Sequence, residues 1–142
     1  MEHVHRSRLA AADLAALDAA ETAASFARAP YSRFRVGAAL ATGDGDIVVG
    51  CNVESASYGL TVCAERTAVF AAVARGISGF VTVAVWTPTD APTMPCGACR
   101  QVLHELAPGV RVLSGCNSDQ VAVTTIGELL PEAFPDDSFP EA

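Results

Sequence analysis

The 142-residue sequence contains no long hydrophobic run, although 51% of its residues are hydrophobic. No uninterrupted apolar stretch approaches the roughly 18 residues that suggest a membrane-spanning helix. The charged start, Met1 to Arg6, is not followed by the apolar core of a secretion signal. These absences argue against membrane association and predict a soluble, cytoplasmic protein.

Basic residues are also scarce. Nine Lys and Arg residues stand against 16 Asp and Glu residues, which gives a formal net charge of -7. The sequence pI is near 4.7. A protein with this charge repels a long polyanion at long range, so nucleic acid is not an expected partner.

Cysteine is present at an odd count of five, without a secretion signal that would favour disulfides. Metal binding or core packing is therefore the better interpretation of the five cysteines.

The length suffices for one well-buried domain and is short for two, so residues 1–142 are expected to form a single domain. The acidic, proline-containing end, residues 136–142, is expected to be a flexible tail.

The hydrophobic pattern predicts three main helices and five strands. Two apolar runs joined by a glycine-bearing turn predict an antiparallel hairpin, and the later alternation of helices with strands favours partly parallel pairing. The expected fold class is α/β, a three-layer α/β/α sandwich around a mixed five-stranded sheet. His3 and His5 are expected to lie in a frayed terminus. The predicted helices are 8–27, 63–75 and 96–106, and the predicted strands are 36–40, 47–50, 80–86, 110–113 and 121–124.

Three thiols and one carboxylate fall at the starts of two predicted helices. Cys63 and Glu65 open the second helix, whereas Cys96 and Cys99 open the third. A helix N-terminus favours the thiolate form that zinc binds, and residues three apart share one helical face. Residues two apart point to nearly opposite sides, so Cys63 and Glu65 reach one ion only if the helix begins at Cys63 or Ala64.

The number of ligands bears on the kind of metal site. A structural zinc usually takes four protein ligands, whereas a catalytic zinc takes three and leaves one position for water. His104 lies about 7.5 Å along the helix from Cys99 and is expected to miss the metal. Spacing alone does not exclude Cys51 or Cys116, which we interpret as buried apolar side chains.

The sequence resembles the small homotetrameric, zinc-dependent cytidine deaminases. The resemblance implies hydrolytic deamination of cytidine or deoxycytidine to uridine or deoxyuridine, with release of ammonia, as a step of pyrimidine salvage. It also implies a homotetramer with shared active sites. The matching segments are Pro30 to Ala38, Gly50 to Glu54, Cys63 to Ala68, Pro95 to Val102 and Leu129 to Phe134.

The same resemblance implies a role for each site residue. Cys63, Cys96 and Cys99 would bind one zinc ion per chain, and Glu65 would shuttle protons for hydroxide that the zinc activates. The substrate contacts would come from six residues: the Phe34 ring near the pyrimidine, Asn52 and Glu54 on the ribose, the Ala64 N–H on the base O2, the Met94 carbonyl on the amino group, and Phe134 capping a neighbour's site.

Two arginines lie beside the cysteines in sequence. Three thiolates around Zn²⁺ leave a net charge of about -1, which weakens the metal as a Lewis acid. Arg66 and Arg100 are candidates for hydrogen bonds to sulfur that draw charge off the thiolates.

Two alternatives remain open at the level of sequence. One is a deaminase of a specialised cytosine nucleoside, such as blasticidin S. Deaminases of that kind share the zinc motifs. The other is a non-catalytic zinc-binding or interaction domain, in which Glu65 is an incidental acid at a helix start.

Overall fold

The computed structural model describes residues 1–135, so the tail predicted at 136–142 lies outside the described residues. Within this range no helix is long and apolar enough to cross a lipid bilayer. The strands are β1 Glu2–His5, β2 Gly37–Thr42, β3 Ile47–Cys51, β4 Phe80–Trp86, β5 Arg111–Gly115 and β6 Gln120–Thr125; the helices are α1 Ala11–Ala24, α2 Ala64–Ala74, α3 Gly97–Leu106 and α4 Ile126–Leu129.

The six strands form one mixed sheet in the order β1-β6-β5-β4-β2-β3. Only β4 and β5 pair in parallel, and α3 makes the crossover between them. The hairpin β2–β3 is antiparallel, as its glycine-bearing turn predicts. The mixed α/β class expected from the sequence is confirmed.

The count of five strands is wrong by one, because the N-terminus is not frayed. Residues His3 and His5 belong to β1, which pairs antiparallel with β6 so that Glu2 lies opposite Val123. Four residues with mostly exposed side chains carry too little periodicity to indicate a strand. The open edge of β6 supplies the hydrogen-bond partners that fix this segment.

Helices cover both faces of the sheet, which gives three layers. On one face α1 packs Ala16, Leu17 and Ala20 against alternate residues of the central strands. On the other face α2 and α3 bury a larger cluster that includes Val69 and Leu103. This second layer brings the N-termini of α2 and α3 together.

Two strand glycines allow the helices to lie unusually close to the sheet. A Cβ atom at Gly37 would lie 1.8 Å from the Ala20 carbonyl oxygen of α1. One at Gly50 would lie 2.4 Å from the Ala68 nitrogen of α2. Both contacts are with backbone, which cannot move aside as a flexible side chain does. Glycine is therefore required at both positions.

Gly37→Ala is expected to destabilise the fold by about 3 kcal/mol, because the added methyl forces α1 away from β2. Chemical denaturation at matched protein concentration measures the change. Gly43→Ala is the matched control, since the nearest atom to its Cβ is a Val81 methyl at 3.8 Å, an ordinary contact. Equal midpoints for the two variants would contradict the close approach of α1.

Candidate active site

The helices α2 and α3 begin at the residues that the metal hypothesis requires. Cys63 is the N-cap of α2, with φ -70° and ψ 159°, so Ala64 is the first helical residue. Cys96 is likewise the N-cap of α3, with φ -68° and ψ 167°. Neither cap makes a side-chain hydrogen bond to its helix. Both thiols are thus extended beyond the helix ends, toward each other.

Three sulfur atoms gather between these helix ends. The sulfurs of Cys63, Cys96 and Cys99 all lie within 4.8 Å of one another, and Cys63 Sγ is 3.8 Å from Cys96 Sγ. Sulfurs bound at about 2.3 Å to a tetrahedral zinc are about 3.8 Å apart. Spacing and donor type therefore fit one zinc ion per chain.

The other candidate ligands lie elsewhere. Within residues 1–135 the metal-ligand group consists of the three thiols, without His104, Cys51 or Cys116. Cys116 is buried, with its sulfur 3.2 Å from the Ser118 hydroxyl. Cys51 is half-buried, and burial raises the pKa of its thiol. Three protein ligands leave the fourth tetrahedral position for water, as in catalytic zinc sites.

Hydrogen bonds divide charge unevenly among the thiols. A bond from the Cys99 thiol, followed by the Arg66 guanidinium, lowers the pKa of Cys63 to about 5. The same bond to Cys63 raises the pKa of Cys99, and burial raises it further. One thiolate is therefore favoured at neutral pH, and zinc binding displaces the remaining protons.

Arg66 contacts the sulfur cluster directly. Its Nη2 atom donates to Cys63 Sγ at 3.5 Å, and the hydrogen bond to that thiolate raises the pKa of the guanidinium. Its Nε atom is buried without a hydrogen-bond partner within the described residues. The positive charge of Arg66 thus lies beside the sulfurs of Cys63 and Cys99.

Arg100 does not make the sulfur contact expected from the sequence. Its Nε donates to the Pro95 carbonyl at 2.7 Å, and its Nη1 donates to the Leu129 carbonyl at 2.9 Å. Arg100 therefore ties α4 to the peptide that precedes Cys96.

Glu65 is a buried carboxyl group beside the cluster, only 4% exposed. Burial raises its pKa above the usual value for a carboxyl, and the nearby negative charge of Cys63 adds to the effect. A carboxyl with a raised pKa holds a proton more readily than an exposed one, which suits a group that accepts and returns a proton. This is the property expected of a proton shuttle.

A cavity of about 240 Å³ is lined by Cys63, Cys96 and Glu65. Five of the six residues predicted to contact substrate lie in its wall, the exception being Phe134. Six residues that the sequence does not predict complete the lining: Ser32, Val36, Thr61, Val85, Thr87 and Thr93. Thr87 and Thr93 lie at the two ends of the loop that follows β4. Only the tertiary structure shows that this loop and the start of α2 line the same cavity.

Asn52 and Glu54 hold the segment that carries Phe34. Asn52 accepts from the Val36 N–H at 2.8 Å and donates to the Phe34 carbonyl at 2.8 Å. Glu54 accepts from the Tyr31 N–H at 2.9 Å and from the Ser32 hydroxyl at 2.5 Å, and the hydroxyl bond lowers its carboxyl pKa. Both side chains thus fix the wall of the cavity, a role that the sequence did not suggest.

Phe134 lies outside the cavity of its own chain. Its N–H donates to Gln101 Oε1 at 3.1 Å, and its carbonyl accepts from Gln101 Nε2 at 3.0 Å. These bonds fix the backbone on α3, whereas the residue as a whole is 60% exposed. The sequence-based role of Phe134 at a neighbour's site stays a prediction.

Comparison with known proteins agrees with this site. Residues 11–115 match the family model described as the cytidine and deoxycytidylate deaminase zinc-binding region. The cytidine deaminase of Halalkalibacterium halodurans is 52% identical over 106 residues, covering 74% of this chain and 80% of that protein. The crystal structure of the Burkholderia pseudomallei cytidine deaminase superposes with a TM-score of 0.82 at 51% identity, covering 84% of this chain and 97% of that one.

A relative of the rival type is less similar. The blasticidin-S deaminase of Bacillus cereus is 37% identical over 108 residues, which cover 70% of this chain and 76% of that protein. Identity is therefore higher to the Halalkalibacterium halodurans cytidine deaminase than to this blasticidin-S deaminase.

Proposed function

Because the chain belongs to the cytidine and deoxycytidylate deaminase family, we propose that it hydrolyses cytidine and deoxycytidine to uridine and deoxyuridine with release of ammonia. The observation that carries the proposal is the buried Glu65 carboxyl beside a cluster of three thiols, with Glu65, Cys63 and Cys96 on the wall of one cavity. Supply of uridine from cytidine places the reaction in pyrimidine salvage.

The reaction forms a C4–O bond from water and breaks the C4–N bond of the amino group. A zinc ion held by Cys63, Cys96 and Cys99 would supply Lewis-acid chemistry that lowers the pKa of water to about 7. Glu65 takes the proton of the attacking water at a carboxylate oxygen and delivers it to N3 of the base. The same carboxyl then helps to move the second water proton to the leaving nitrogen, so that ammonia departs neutral.

Substrate orientation rests on groups of the cavity wall. The Ala64 N–H is the first of α2, a position that has no partner within its own helix, and it would donate to the base O2. The Met94 carbonyl would accept from the amino group, and the Phe34 ring would pack near the pyrimidine. Asn52 and Glu54 would contact the ribose with the donor and acceptor capacity that remains after their loop bonds.

Arg66→Ala is expected to lower kcat about tenfold while one zinc per chain is retained, because the thiolates then carry more negative charge toward the metal. Steady-state kinetics and metal content on the same sample measure both quantities. Arg75→Ala, at the exposed end of the same helix, is the matched control. An unchanged kcat in Arg66→Ala would remove charge tuning from the mechanism.

The quaternary proposal is a homotetramer of single-domain chains with shared active sites. Its support is the exposed Phe134, whose backbone is fixed on α3 while the residue is 60% exposed. A tetramer would let this residue close a neighbour's cavity. Sedimentation is expected to show four chains per particle, and a monomer with full activity would overturn the shared site.

The first experiment combines turnover with metal analysis. Purified protein is incubated with cytidine and, separately, with deoxycytidine. The absorbance change that accompanies loss of the amino group is followed, and zinc is determined on the same sample. Conversion that stops when a chelator removes about one zinc per chain supports the proposal. Stoichiometric zinc without turnover of either nucleoside would contradict it and favour blasticidin S or a structural zinc domain.

A further inference from the structure

The loop that carries Phe34 has a second face, which is basic. Phe34 lines the zinc cavity together with residues 32 and 36. The intervening Arg33 and Arg35 are directed to the other side of the loop, where they line an open depression together with Arg28. The rest of that depression is formed by small apolar residues. Three arginines thus surround one site that is separate from the zinc cavity.

None of these three arginines forms an ion pair with a carboxylate among the described residues. Within residues 1–135 the ion pairs to acidic side chains involve Arg6, Arg111, His5 and the N-terminal amine. Arg28 instead donates to the Glu54 carbonyl at 2.5 Å, and Arg35 donates to the Ser25 carbonyl at 2.9 Å. A neutral carbonyl positions a guanidinium without cancelling its charge.

Two carboxylates lie near this face, and both make their hydrogen bonds or ion pairs with groups outside the arginine triad. Glu54 directs its carboxylate to the Ser32 hydroxyl and to loop N–H groups. Glu21 lines an adjoining depression with Arg33 and Arg35, but it binds Arg6 at 2.6 Å. The pKa of Glu54 is lowered first by its hydrogen bonds to Ser32 and further by the charge of Arg28. Among residues 1–135 no carboxylate forms an ion pair with Arg33 or Arg35.

The backbone at Arg33 adds a second observation. Arg33 is the one residue other than glycine with positive φ among those described, at 59°. This left-handed conformation is uncommon for an arginine, and surrounding contacts must maintain it. Here the Arg33 N–H donates to the Ala29 carbonyl at 3.0 Å and closes a turn. The turn directs Arg33 into the depression shared with Arg28.

We propose that Arg28, Arg33 and Arg35 form a binding site for a phosphate group, on the reverse side of the substrate loop. The planar guanidinium matches two phosphate oxygens at once, and three of them suit a doubly charged monoester. The net charge of -7 on the chain disfavours a polynucleotide, so the expected ligand is a small anion. The ligand is inorganic phosphate or the phosphate of a free nucleotide.

Trp86 provides a direct readout of this site. It is the single tryptophan of the chain, and it lines the depression that adjoins Arg33 and Arg35. The full chain is titrated with inorganic phosphate, with adenosine 5′-monophosphate and with adenosine, at an ionic strength held constant with chloride. We expect a saturable change of tryptophan fluorescence with both phosphates and none with adenosine. Tighter binding of the nucleotide identifies nucleotide as the source, whereas equal binding identifies phosphate alone.

Two variants locate the binding. Arg33→Gly removes one charge and folds readily, because glycine adopts positive φ without steric cost. Arg35→Gln removes a second charge, and Arg75→Gln, at the exposed C-cap of α2, is the matched control. We expect at least a tenfold rise in Kd for the first two variants and none for the control.

Binding that persists unchanged in Arg33→Gly and Arg35→Gln, as it would for an anion in the zinc cavity, overturns the proposal. The absence of any saturable response in the unmodified chain overturns it as well. Adenosine monophosphate carries no cytosine, so neither outcome depends on deaminase activity.

Discussion

Glu65→Gln is expected to keep one zinc per chain while turnover of cytidine falls by about 10³- to 10⁴-fold. The amide preserves the size of the side chain but cannot take a proton from water or return it to N3. Because Glu65 is buried beside thiols that do not depend on it for binding metal, the zinc cluster should remain intact. A loss of 10³-fold corresponds to about 4 kcal/mol of transition-state stabilisation.

The measurement is kcat with metal content and thermal stability on the same preparation. Glu2→Gln, on the exposed edge strand, makes the same chemical change far from the site and should leave all three quantities unchanged. Full activity in Glu65→Gln would show that the carboxyl carries no proton in the reaction. Loss of zinc together with activity would show that Glu65 supports the metal.

Cys99→Ser is expected to lose stoichiometric zinc and to lower turnover by at least about 10³-fold, since both the Lewis acid and its water depend on the metal. Cys99 is fully buried, and serine is close to it in size, so the fold should persist. A hydroxyl remains protonated at neutral pH and is a far weaker zinc ligand than a thiolate. Metal analysis after gel filtration measures the effect directly.

Cys51→Ser is the matched control for this prediction. Cys51 is half-buried near the start of α2 but does not belong to the sulfur group. Its replacement should leave one zinc per chain and normal turnover. If Cys51→Ser lost zinc as readily as Cys99→Ser, the assignment of three ligands would be wrong.

The accuracy of the sequence predictions depended on where each segment lies in the fold. The buried strand β4 was predicted over 80–86 and spans Phe80–Trp86, because a continuous apolar run carries its own signal. Helix α1 was predicted over 8–27 and spans Ala11–Ala24. Its buried face is mostly alanine, and Phe26 beyond its end is 77% exposed. The prediction from bulky apolar residues therefore placed the end of α1 too late in the sequence.

The metal ligands could be predicted because the chemistry lies within short motifs. The requirement that α2 begin at Cys63 or Ala64 followed from side-chain directions on a helix, and Ala64 is its first residue. The polar wall formed by Thr87 and Thr93 could not be predicted, because it depends on the parallel placement of β4 beside β5. The contact of Arg100 with Leu129 likewise joins segments that only the tertiary structure brings together.

The pairing of β1 with β6 constrains the order in which the molecule is assembled. Glu2 finds its partner, Val123, only after most of the chain has left the ribosome. A contact between such distant segments forms late, because closing a long loop must precede any gain from the pairing. During synthesis β1 therefore stays unpaired until the helices and the central strands have folded. In the finished protein its backbone amides should be among the first in the sheet to exchange with deuterium.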